Sequence, residues 1–250
     1  MGYGVFLTIG AVLLGCLMQR TSGMGVGLIV SPVLVLLLGP VAGVLLANVT
    51  AVVSAALMTI AVRSNIDWKR YAQTAPVVII GSIPAVLLIG SVDAGWLEMI
   101  IGIVLLIAVG GTTLLPSLPQ MPLIPAGITA GVFGGFLNTA VGVASPAYLI
   151  YAQVTSWEHK PFAATLQPLF FTMGVVSIIV KTAFGLSSSI VIPPWPLLVG
   201  VAVAVPIGVF LAGKLAPKVP VTAAHRLAVA VVIVGAAATL VRGLLQVLPG

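Results

Sequence analysis

Three stretches of this chain, 21–62, 99–157 and 182–213, contain no Asp, Glu, Lys or Arg. Each is longer than the about 20 apolar residues a helix needs to cross roughly 30 Å of hydrocarbon. A soluble domain carries roughly a quarter charged residues; here the share is 6%, against 60% hydrophobic. No water-soluble fold accommodates that balance, and a chain of helices in a membrane does.

Charge and length place the spans. Uninterrupted ones are expected at roughly 41–62, 71–90 and 96–115, and again at roughly 161–180, 194–213 and 226–245. Between them Pro116-Ser117-Leu118-Pro119-Gln120-Met121-Pro122 reads as a joint. The expected organisation is an N-terminal transmembrane repeat over 1–115, a linker over 116–122 and a C-terminal repeat over 123–250. Matching features support a duplication: Ser31-Pro32 with Ser145-Pro146, Thr50 with Thr165, Pro84 with Pro206 and Gly110 with Gly235, at offsets of 114, 115, 122 and 125.

Each half opens with a segment too long for one span. Residues 3–39 would reach about 55 Å at about 1.5 Å per residue, so something must break them. The expected breaks are Gln19-Arg20-Thr21-Ser22-Gly23-Met24-Gly25-Val26-Gly27 and Gly134-Gly135-Phe136-Leu137-Asn138-Thr139-Ala140-Val141-Gly142, each between legs of about 12 to 16 residues. If both segments crossed, Arg63, Lys69, Arg70, Lys181 and Arg242 would face Lys160, Lys214, Lys218 and Arg226, which is no bias. If both turn back, only Lys181 and Arg242 oppose the other seven. The positive-inside rule favours turning back. The fold expected is an all-α polytopic membrane protein of two inverted repeats, each a broken helical hairpin followed by three transmembrane helices, with both termini outside. Two fully crossing legs per break would give the same topology with ten spans.

Irregular backbone at membrane depth survives only where it lines protein or a water cavity. After each break a new half-helix begins, near Gly25 or Gly27 and near Gly142, and the free N–H groups at its start suit an anion. The candidate binding residues are Gln19, Arg20, Thr21, Ser22, Gly23 and Gly25 in the first break and Asn138, Thr139 and Gly142 in the second. Arg20 is the sharpest, because its planar guanidinium grips an oxyanion with two hydrogen bonds; the alternative is that it snorkels to the surface. Asn48, Thr50, Thr165 and Gln167 sit inside apolar spans at corresponding places and would complete the wall, unless the hydroxyls only bond back to their own helices. For the glycines the competing reading is close helix packing.

Absences narrow the function. No acidic residue falls in the middle of an expected span, where a proton relay would want one. Asp67 and Glu158 fall in loops, and Asp93 and Glu98 at a helix end. The only histidines are His159 and His225, and no metal-ligand spacing, nucleotide-binding motif or nucleophile with a base is present, so neither an enzyme nor a cofactor is expected. The net charge of +6 is scattered rather than gathered on a face, which argues against nucleic acid. Cys16 stands alone and reads as a packed small hydrophobe. The N-terminus lacks a basic n-region, so the first segment is expected to be retained.

The glycine-rich break running to Pro32, Ala47-Asn48-Val49-Thr50, and above all the loop Asn65-Ile66-Asp67-Trp68-Lys69-Arg70 resemble the TauE/SafE family of permeases, as do Ala163-Ala164-Thr165, Pro206-Ile207-Gly208 and Leu211-Ala212-Gly213. The second break departs from it, with Asn138-Thr139 where members more often carry glycines. The resemblance implies passage of a small sulfur oxyanion, sulfite or an organosulfonate, across the cytoplasmic (inner) membrane. Potential-driven export is the expected direction. Uptake of sulfate or a sulfonate, and a non-transporting scaffold, are the alternatives. The expected partners are the anion and the lipid bilayer, with the oligomeric state open and a homodimer among the options.

Overall fold

The structure, a computed structural model, describes residues 2–114, 118–186, 193–216 and 221–248. Pro116 and Ser117 of the expected joint, and Lys218 of the charge count, lie outside the described residues. Among those described there is no strand, and the helices are α1 Gly2–Ser22, α2 Val26–Leu38, α3 Pro40–Val62, α4 Trp68–Thr74, α5 Val78–Ser91, α6 Ala94–Leu114, α7 Leu123–Val141, α8 Ser145–Val154, α9 His159–Ala183, α10 Trp195–Leu215 and α11 Val221–Val247. By length and composition six can cross a membrane, or seven if the bent pair α4–α5 counts as one span. Their outer faces are apolar at helical spacing. Ile79, Ile80, Ile83 and Leu87 on α5, and Val199, Val203, Ile207 and Phe210 on α10, stand exposed where lipid would cover them.

The expected span 71–90 is not continuous. Ala75-Pro76-Val77 separates α4 from α5 with a 42° bend, because Pro76 has no N–H to continue the helical ladder. The expected breaks are also shorter than the sequence suggested. Gln19, Arg20, Thr21 and Ser22 form the last turn of α1, Asn138 and Thr139 the last turn of α7, and the irregular chain is only 23–25 and 142–144. Glycine sets both stops. Gly23 (φ 83°) and Gly142 (φ 79°) take the left-handed conformation that a side chain resists, and each donates its N–H back into the helix, to Gln19 O at 3.0 Å and Asn138 O at 2.9 Å. Consequently the legs are unequal: 21 and 13 residues in the first half, 19 and 10 in the second, not 12 to 16 throughout.

After each break the chain doubles back. A Cβ on Gly4, at the start of α1, would lie 3.3 Å from Leu37, at the end of α2. Likewise the N–H of Met121, just before α7, donates to the carbonyl of Val154, the last residue of α8, at 2.8 Å. α3 spans the distance between the two sets of ends, beginning at Pro40 beside the end of α2 and finishing against the 3-10 turn Arg63–Asn65 that leads to α4. Arg70 of α4 donates to Thr155, past the end of α8, at 2.7 Å. Arg242 of α11 donates to the last carbonyls of α2, Leu36 O at 2.6 Å and Val35 O at 2.8 Å, and pairs with Glu98 of α6. The charge is thereby held where it satisfies a helix end that lipid could not.

Close helix contact elsewhere relies on missing side chains. A Cβ on Gly81 of α5 would stand 1.8 Å from Val132 O of α7, and one on Gly135 of α7 would stand 2.1 Å from Val78 O of α5. Backbones this near gain dispersion contacts that membrane helices cannot obtain from a hydrophobic effect.

Candidate functional site

The two breaks meet. A Cβ on Gly27, in the first turn of α2, would fall 2.6 Å from Gly142 O, and the Ser31 hydroxyl donates to Val141 O at 2.6 Å. The first intrahelical bond of α2 runs from Ile29 N to Gly25 O at 3.0 Å, so the N–H groups of Val26, Gly27 and Leu28 have no carbonyl a turn behind them. They sit beside a gap of about 20 Å³ lined by Gln19, Gly25, Gly27, Asn138, Gly142 and Ser145. That is room for about one water. An oxyanion does not fit, so this conformation is closed where the breaks touch.

On one side of the closure lies a larger cavity of about 300 Å³, lined chiefly by Gln19, Arg20, Thr21, Asn65, His159, Lys160 and Gln167. No lining residue is acidic. Arg20 is half-buried, and its Nη1 is buried without a hydrogen-bond partner. That nitrogen is shielded from the cavity as well as from bulk water, and an unpaired guanidinium N–H keeps its hydrogen-bonding capacity to spare. Lys160 adds a second cation from the first turn of α9, so two positive charges and several amide donors bound a space with ample room for a small anion and its water.

A buried polar network joins the cavity to the closure. Gln19 Nε2 donates to Gln167 Oε1 at 2.6 Å, and Gln167 Nε2 donates in turn to Gly23 O at 3.1 Å and Ala163 O at 2.9 Å. Ser54 reaches Gln19 Oε1 at 3.4 Å. Deeper, Asn138 Nδ2 donates to Asn48 Oδ1 at 3.1 Å, and Asn48 Nδ2 donates to the Ser177 hydroxyl at 2.9 Å. These side chains tie α1, α3, α7 and α9 together at the level of both breaks.

A family model described as sulfite exporter TauE/SafE matches residues 7–240. The chain belongs to the TauE/SafE family. No curated protein and no solved structure matches it. The family is one of membrane transporters, not enzymes, and with its apolar helices this member is a multi-pass membrane transporter.

Within this TauE/SafE chain the loop that carries the resemblance touches the cavity at Asn65 alone, and from Asp67 to Arg70 it is a clamp. Asp67 caps α4 by accepting from Arg70 N at 3.0 Å, and the Arg70 guanidinium stacks 4.4 Å from the centre of the Trp157 ring. The Asp67 N–H donates to the Thr165 hydroxyl at 2.8 Å, which fixes the loop against α9.

Of the residues singled out from sequence, Gln19, Arg20, Thr21 and Gln167 line the cavity, and Gly25, Asn138 and Gly142 line the gap beside Gln19. Asn48 joins through Asn138. The others lie apart from both spaces. Thr50 bonds back to Leu46 O at 2.7 Å, and Thr165 bonds to Pro161 O at 2.7 Å while holding Asp67. Ser22 bonds to Met18 O and Met24 O and closes the turn after α1. Gly23 packs on Ala163 and offers its carbonyl to Gln167, and Thr139 is fully buried with its hydroxyl unpartnered. Sequence reading missed Asn65, His159 and Lys160 in the cavity, and Ser31, Ser54, Ser145 and Ser177 around the closure. Ser31 and Ser145 carried a signal, as the paired Ser-Pro of the two halves.

Proposed function

We propose that this protein exports sulfite or a small organosulfonate from the cytoplasm, and that the anion enters through the cavity of Arg20 and Lys160 and leaves when the touching breaks part. The observation carrying this reading is a cavity bounded by the Arg20 and Lys160 cations and several amide side chains, with no acid in its lining. The family's printed description, sulfite exporter, supports the substrate class. The cavity lies on the side of Arg63–Asn65 and Lys160, the side with most basic residues, which the positive-inside rule assigns to the cytoplasm.

Two inverted repeats, 1–115 and 123–250, are the organisation we favour, with both termini outside the cytoplasmic membrane. It is supported by hairpins α1–α2 and α7–α8, whose free ends lie at the beginning and at the far end of α3. Each half-helix then points its N-terminus toward the middle, where an anion gains from both.

An inside-negative potential drives each negative charge outward with about 2.3 kcal/mol per 100 mV, so export needs no coupling ion. Purified protein in liposomes tests this. Sulfite efflux should rise with an imposed inside-negative potential and be indifferent to a proton gradient at fixed potential; flux that requires the proton gradient and ignores the potential refutes the driving force. Flux of sulfonates but not of sulfite would settle the substrate within the class.

A further inference from the structure

Lys181 is fully buried near the end of α9, and its Nζ has no hydrogen-bond partner. None of the four acidic residues offers it a counter-ion: Asp67 pairs with Arg70 and Glu98 with Arg242, while Asp93 and Glu158 form no ion pair among the described residues. A buried ammonium without a counter-charge is expensive in any protein, and more so inside a membrane domain. Nothing in the cavity of Arg20 accounts for it, since Lys181 does not line that space.

Its position on α9 gives it a use. Lys160, Gln167, Gly174 and Lys181 follow one another at intervals of seven residues, which keeps them on one face with a drift of about 20° per interval. Three of them are already in contact with the machinery. Lys160 and Gln167 line the cavity, and a Cβ on Gly174 would stand 3.3 Å from Asn48 O. Ser177, between Gly174 and Lys181, takes the hydrogen bond from Asn48 at 2.9 Å. Lys181 is the next turn of the same face, beyond the Asn48–Asn138 pair. At about 1.5 Å per residue, Lys160 and Lys181 stand about 31 Å apart along the helix, which is the full thickness of the hydrocarbon.

We infer that Lys181 is a second anion-binding cation, which receives the sulfur oxyanion on the far side of the closed breaks before its release. This rests on the transport reading above and deepens it. Arg20 and Lys160 load the anion from one side, the closure separates them from Lys181, and the missing counter-ion of Lys181 is the substrate itself. A face of α9 with a cation at each end and polar groups between them is then the track along which the charge is handed over.

Lys181→Met keeps the length of the side chain and removes its charge. Sulfite flux in liposomes should fall at least tenfold, while the apparent Tm without ligand stays level or rises, because an unpaired buried charge has gone. The rise of Tm with added sulfite, reporting the cavity of Arg20, should persist. Flux within twofold of wild type overturns the inference, and so does a fall in Tm alongside the loss of flux, which marks Lys181 as structural. A second variant guards against a trivial loss. In a Cys16→Ala background, Lys181→Cys is treated with 2-bromoethylamine, which forms a thioether with loss of bromide and rebuilds an ammonium of lysine length. Flux should recover at least fivefold. Full alkylation by intact mass without recovery, or a thiol that never reacts under transporting conditions, also overturns it. A wild type that carries neither sulfite nor a small sulfonate refutes the transport reading itself; an active wild type matched by Lys181→Met refutes this inference alone.

Discussion

Replacing Arg20 separates the account from its competitor, in which the guanidinium only snorkels. Its Nη1 makes no hydrogen bond in the structure, and no acidic residue lines the cavity around it. Arg20→Ala therefore removes no internal partner, and the apparent Tm should move little. Binding should respond strongly. A hydrogen bond to a charged group is worth about 1.5–3 kcal/mol, so losing a two-pronged grip worth about 3 kcal/mol weakens sulfite binding about 100-fold at about 1.4 kcal/mol per decade. Arg20→Lys keeps the charge and loses the planar fork, and forfeiting one such bond of about 1.5 kcal/mol amounts to about tenfold. Calorimetric titration of the detergent-solubilised protein with sulfite measures the affinities, and flux in liposomes measures the consequence. The reasoning is refuted if Arg20→Ala binds and carries sulfite within twofold of wild type, or if its Tm collapses so that the effect is structural.

Gly27→Ala places a methyl where only 2.6 Å separates it from Gly142 O; forcing the breaks apart costs about 1–3 kcal/mol, and flux should drop more than tenfold in a protein that still folds by circular dichroism. Glu98→Gln leaves Arg242 without its carboxylate at the end of α2; Glu98 is 2% exposed, but the Arg242 side chain is 33% exposed, so the loss should be about 2–3 kcal/mol, below that of a fully buried pair. Thermal unfolding followed by tryptophan fluorescence should show a Tm lower by about 5 °C or more.

Spans of about 20 charge-free residues were legible because hydrocarbon thickness imposes them on composition, which is why α3, α9 and α10 fall where apolar length put them. The kink at Pro76 was not, since counting charges and apolar residues says nothing about a missing N–H inside an apolar run. The first break was located correctly but read as too wide, and the second was placed too early, since of 134–142 only Gly142 is irregular and the break runs on to 144. Polarity marks where side chains are needed, while only Gly23 and Gly142, with their left-handed backbone, mark where the helix stops.

The same confusion of purposes hid part of the site. Lys160, Lys181 and Arg242 were each counted as topological charges, yet one lines the cavity, one is buried without a partner and one closes the end of α2. A sequence gives the sign of a charge and its place along the chain; which groups surround it is decided by helices far away, as Asn48 meeting Asn138 and Gln19 meeting Gln167 illustrate. Thr50 and Thr165 matched in the repeat and still differ in work, because the first faces its own helix and the second the loop of Asp67.

The central claim is that a sulfur oxyanion is held at the cavity beside the breaks, and locating the bound anion tests it most directly. Selenite, the heavier analogue of sulfite, gives an anomalous signal in crystals of the protein soaked at saturating concentration. The account predicts a peak within hydrogen-bond distance of the Arg20 guanidinium, facing Lys160 and Gln167. A protein that shows no peak there, or binds selenite only at a place remote from both breaks, contradicts it.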